Sequence, residues 1–229
     1  MSVSRALGAI GRYKRDRAQG EQSLPISDDV LKELPPLPLN EISGRIRDGD
    51  LLLCSGDDPF SRLIGWSTKS PWTHIAIAYR WPEIGRIMVF ESVERIGVRA
   101  VPLQSFISRS SEGKEPYPGK IILARHSAVA EELGYAGAVR LADFAVDRFG
   151  YPFAAREIAR IGLRILLGAA NVRLPRSLGP KDEFICSEYV GRCLEEIGIK
   201  IPWDGLGFIA PGDFADCPEV HALAQFKTR

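Results

Sequence analysis

Several features that mark specialised proteins are missing from this 229-residue chain. Its four cysteines (Cys54, Cys186, Cys193, Cys217) form no Cys-x-x-Cys pair, which excludes the usual signature of a disulfide scaffold. Three histidines without a dense Cys/His cluster argue against a structural zinc site, and no metal or other cofactor is expected. No run approaches the ~20 uninterrupted apolar residues that a membrane-spanning helix needs. The opening MSVSRALGAIGRYKRDRAQG holds no apolar block of signal-peptide length, so a reduced, cytoplasmic setting is the expectation. An excess of charge is absent too, with a formal net charge of +1. What remains, 45% hydrophobic and 26% charged residues, is the composition of an ordinary globular protein.

The near-neutral total hides a local imbalance. Residues 1–20 carry Arg5, Arg12, Lys14, Arg15 and Arg17 against Asp16 alone. This tail reads first as a solvated segment, with contact to an anionic membrane surface as the alternative. It holds no nucleic-acid recognition motif beyond charge. The run SLPISDDVLKELPPLPLN follows, and its prolines cannot join helix or central-sheet hydrogen bonding. It reads as an extended linker or as a strap over a domain surface. Residues 1–41 are therefore expected to be tail and linker, and residues 42–229 the folded domain.

Within that domain the first half predicts strands. Gly49-Asp50 marks a turn, and Leu51–Cys54 reads as a short buried strand. A short helix is expected over 57–68, with Asp57 or Asp58 as its cap. Strands follow over 73–80, 86–92, 97–101 and 120–124. The second half is helical, with a long helix from Ser127 to Phe149 ended by Gly150, another over 153–169 and a third over 184–197. Strands followed by helices predict an α+β fold.

Three residues stand out for chemistry. A hairpin closed by an Arg80–Gly85 pair would set His74 directly opposite Glu91, on one face of the sheet. A carboxylate there accepts the imidazole N–H and fixes its tautomer. A slip of one residue would send Glu91 to the other face. Cys186, in DEFICSEYVGRCLEEIG, falls where an amphipathic helix begins, and the helix dipole there favours thiolate. By itself such a cysteine is as readily a core residue as a nucleophile. The His74/Glu91 pair tips the reading toward nucleophile.

The segment RDGDLLLCSGDDPFSRLIGWSTKSPWTHIAIAYR, with VFES and FICSEYV after it, resembles the circularly permuted papain-like hydrolases of the NlpC superfamily. The likeness is to the YiiX/YaeF-like branch, across roughly residues 42–200. It rests on Gly49-Asp50, Ser70 with His74, Glu91, and Cys186-Ser187-Glu188 in that order. The resemblance implies a permuted papain-like fold and a cysteine hydrolase acting on an amide or ester bond. Cys186 would be nucleophile, His74 general base and Glu91 the group that orients it. It also implies a place near the cleft for Tyr151. Trp72, two residues from His74, is expected to wall the groove, whereas Trp66 reads as core. The substrate class implied is a small molecule, a cell-wall peptide or an acyl lipid. Rival readings are an acyltransferase using the same three residues and a non-catalytic ligand-binding module of the same fold. Arg156, Arg160 and Arg164 form a basic stripe on their expected helix, either solvated or facing an anionic surface. An amide at position 91 is expected to keep partial activity, since it still accepts a hydrogen bond.

Overall fold

The computed structural model describes residues 26, 28–56, 59–108, 117–154, 183–202 and 208–228. The basic tail, the caps at Asp57 and Asp58 and the Arg156/Arg160/Arg164 stripe lie outside these residues. The architecture is α+β, a seven-stranded sheet with helices on both faces. Its strands are β1 (Pro36–Leu37), β2 (Leu51–Gly56), β3 (His74–Trp81), β4 (Arg86–Val93), β5 (Gly97–Pro102), β6 (Gly119–His126) and β7 (Val220–Phe226). They lie in the order β1-β7-β6-β2-β3-β4-β5. Every pairing is antiparallel except β1 with β7.

The unbroken apolar run Leu51–Cys54 is explained by burial on both faces of β2. Leu51 and Leu53 point to one core with Ile75, Ile77 and Ile122. Leu52 and Cys54 point to the other with Ala76, Ala78 and Ile121. The first core is closed by helix α6 (Tyr135–Val146), helix α7 (Cys186–Glu195) and helix α8 (Pro211–Asp216), counting described helices from α1 (Asp28–Glu33) and α2 (Leu39–Ile42). Tyr189, Val190, Cys193 and Leu194 form the buried stripe of α7. Its Tyr189 hydroxyl donates to the Ala145 carbonyl at 2.9 Å, locking α7 to α6.

Two expectations change. The helix expected over 127–149 is two helices, α5 (Ser127–Glu132) and α6, with Gly134 as the cap that starts the second. Glycine is a poor interior helix residue and a natural break. Gly150 does close the stretch, at φ +87°. The cap of α5 is His126, its Nδ1 accepting the Ala128 N–H at 3.2 Å. The proline-rich segment packs as a strap from Ile26, whose N–H donates to the Ala215 carbonyl at 3.0 Å. Ile26 and Leu31 enter the core, and Pro36 sits on an edge strand, where its missing N–H costs nothing.

The Gly49-Asp50 turn has a structural task. Asp50 is fully buried and receives Arg125 Nε at 2.5 Å, Arg125 Nη2 at 2.7 Å and the Arg47 N–H at 2.8 Å. Burial pushes the Asp50 carboxyl up, with Arg125 opposing. Arg125→Met strands this acid and is expected to cost about 3 kcal/mol of stability. A lower urea midpoint at unchanged slope would show it; a loss under ~1 kcal/mol would mean Asp50 does not rely on its partner.

Candidate active site

His74 opens β3 and Glu91 lies near the end of β4. Their hairpin closes at Trp81–Arg86, not Arg80–Gly85, so pairing is displaced by two residues from the expected register. The cause is the turn: Pro82–Ile84 form a 3-10 turn ended by left-handed Gly85 at φ +61°. Glu91 therefore sits diagonally from His74 rather than opposite it. A displacement of two keeps both side chains on one face. The long carboxylate spans the diagonal, and His74 Nε2 lies 2.8 Å from Glu91 Oε2.

Glu91 has a second partner that the sequence reading missed. Arg99 is its register neighbour on β5, and Arg99 Nε and Nη2 reach Oε1 at 2.9 and 2.7 Å. The signal was present in the sequence, since a tight turn after Val93 places Arg99 across from Glu91. One carboxylate oxygen thus belongs to Arg99 and the other to His74. Burial works against the charge of Glu91, but His74 and Arg99 together hold its carboxyl below the usual range.

Cys186 is the first residue of α7, and its side chain lies close enough to His74 for each to shift the titration of the other. Because Nε2 is committed to Glu91, Nδ1 is the nitrogen that serves the sulfur. The β3–β4 ladder begins at Ile77–Phe90, which leaves the Ile75 N–H beyond it to favour, with the Ser187 N–H, a thiolate at Cys186. Burial pushes the Cys186 thiol up, but these donors and the His74 charge outweigh it and the net shift is down. Burial likewise opposes the His74 charge, yet Cys186 and Glu91 raise it to about 10. The helix is seated by Ser92 Oγ, donating to the Phe184 carbonyl at 2.7 Å, and by Ser187 Oγ, donating to the Ile209 carbonyl at 2.7 Å.

The three residues line one cavity of about 630 Å³, with Ile64, Val93, Ile96, Val101, Phe106 and Phe153 among its apolar walls. Tyr151 and Trp72 are not among its lining residues. Tyr151 stacks on Phe184 at a ring distance of 6.2 Å, and it is Phe153 that faces the cavity. Trp72 is 2% exposed and belongs to the core, its backbone N–H donating to Ser70 Oγ at 3.2 Å. Trp66, expected in the core, is 58% exposed. Cys217 is also buried.

Among the described residues one group has the donors of a metal site. His126, Cys217 and Glu219 place their ligand atoms within 4.8 Å of one another, away from the cavity. The arrangement does not suit a metal. The Ala128 N–H donates to His126 Nδ1, so the neutral ring keeps its proton on Nε2. The Cys217 thiol donates to Glu219 Oε2 at 3.2 Å. The group is a hydrogen-bonded turn as it stands.

No protein-family model matches the sequence, and no curated protein matches it. Among solved structures, this chain is similar to the crystal structure of the metalloprotein YiiX from Escherichia coli O157:H7. The TM-score is 0.54 at 18% identity, over 78% of this chain and 96% of that one. The chain has the YiiX fold. The α+β class expected from the sequence is present, with the histidine and acid on early strands and the cysteine on a later helix. Among the described residues of this YiiX-like fold, no helix is long and apolar enough to cross a membrane.

Proposed function

We propose that the chain is a cysteine hydrolase that cleaves an amide or ester bond. The observation that carries the reading is the chain of contacts Cys186–His74–Glu91–Arg99 at the wall of one cavity. His74 Nδ1 takes the Cys186 proton, and the thiolate attacks the substrate carbonyl carbon. The oxyanion that forms lies beside the first turn of α7, where the Cys186 N–H has no partner within the helix. The imidazolium, held by Glu91, then returns its proton to the leaving amine or alcohol. Water, activated by the same imidazole, attacks the thioester, releases the acid and restores the thiol. Arg99 touches neither sulfur nor carbonyl; it positions Glu91.

A panel of peptidoglycan fragments, acyl-amides and lipid esters, followed by intact-mass and peptide analysis, tests the reading. An acyl mass is expected on Cys186 alone. Turnover that persists in Cys186→Ala would move the chemistry elsewhere and favour a binding role for the cavity.

A further inference from the structure

Helix α3 (Pro59–Thr68) stands between the cavity and the surface, and its two sides differ. Ser61 and Ile64 line the cavity. On the outward side Leu63 is 42% and Trp66 58% exposed, with exposed Arg62 one turn before Trp66 and exposed Lys69 just after the helix. From Pro59 to Ser70 the chain carries no acidic residue. In the wall of the same cavity, the β4–β5 turn repeats the composition: Ile96 lines the cavity yet is 55% exposed, and Arg95 beside it is exposed. Glu94 is the acid of that turn, and it is half-buried in the cavity lining.

From this we infer that the face formed by Leu63, Trp66 and Ile96, with Arg62, Lys69 and Arg95, docks on an anionic lipid bilayer. An exposed tryptophan beside aliphatic side chains suits the headgroup boundary, where the indole ring is apolar and its N–H remains hydrated. The three cations add attraction to anionic headgroups, a force that a zwitterionic surface lacks. Two sequence-distant elements carry the same pairing of apolar and basic side chains at the same cavity. That repetition favours a surface that meets the whole mouth over a partner of one helix. The inference concerns where the protein works, and it stands apart from the role given to Cys186.

The test uses the full chain with sucrose-loaded vesicles of phosphatidylcholine, with and without phosphatidylglycerol. The wild type is expected to sediment with the anionic vesicles, less at high salt. The variant L63S/W66S should lower the partition coefficient about tenfold or more, and R62E/K69E should lose the preference for anionic vesicles. W66F should retain binding. Acyl chains brominated near the headgroup should quench part of the wild-type tryptophan emission, a part missing in W66F. Thermal unfolding and Cys186 alkylation should match the wild type in all variants. Unchanged vesicle partition in L63S/W66S overturns the inference, whether binding is absent, is carried by residues 1–20, or the variant instead separates a dimer.

Discussion

Cys186→Ala and His74→Ala are each expected to reduce kcat/KM by about 10³-fold or more on whichever ester or amide acylates the enzyme. The two side chains act as one unit, because without the base the buried thiol loses the donor that lowers it, and without the thiol nothing attacks. The geometry at Glu91 extends the expectation to Glu91→Gln and reverses the sequence-based one. An amide has one acceptor oxygen, and Arg99 offers two charge-assisted donors to it against one from His74. The oxygen therefore turns to Arg99, and the NH2 faces His74 Nε2. That selects the tautomer with its proton on Nδ1, the nitrogen that must receive the Cys186 proton. A loss approaching that of His74→Ala is expected. Arg99→Met added to Glu91→Gln frees the amide to turn round, and should recover about tenfold over Glu91→Gln alone. Such a recovery is a coupling that only shared geometry produces. Glu91→Gln with more than a tenth of wild-type activity, or a double variant no better than the single, would remove Arg99 from the account.

Sequence periodicity was enough to find β2 through β6 and α7, because these elements bury continuous or regularly spaced apolar residues. Parity made the site legible as well. The register inferred for β3 and β4 was off by two residues, yet any even displacement leaves His74 and Glu91 on one face. The turn decided that displacement, and Trp81-Pro82 gives little local sign that a 3-10 turn will follow the strand. Less legible was β7, whose VHALAQF lacks strong alternation and gains its place from partners on both sides. The tryptophans were read in the wrong order because proximity in sequence to His74 says nothing about which face a side chain takes. Trp72 precedes the strand and turns under the sheet, whereas Trp66 lies on the outward side of a helix. Arg99 could have been found by extending the register argument one strand further, since Glu91 and Arg99 are direct partners across a tight turn.

Iodoacetamide at limiting concentration and pH ~6 is expected to label Cys186 before any other cysteine, well below the ordinary thiol pKa of ~8.5. An ordinary thiol at that pH is under about 1% thiolate. Cys186 departs from this because His74 holds its charge up to about 10, and the imidazolium together with the Ile75 and Ser187 N–H groups lowers the thiol despite burial. The sign of the pH dependence follows. Labelling of Cys186 should rise at lower pH than that of an ordinary thiol, and fall as pH drops through its lowered pKa. Deprotonation of His74 near 10 comes too late to affect that rise. The other thiols move the opposite way. Burial raises Cys54 and Cys193, and burial with the Glu219 carboxylate raises Cys217 to about 11. In His74→Ala the burial of Cys186 is no longer outweighed, so its labelling at pH 6 should fall by about 10²-fold and acquire the steep rise with pH of a common thiol. Peptide mapping of the alkylated protein reads both outcomes at once. If Cys54 or Cys217 is modified first in the folded protein, the thiolate–imidazolium pair is absent and the nucleophile has been misassigned.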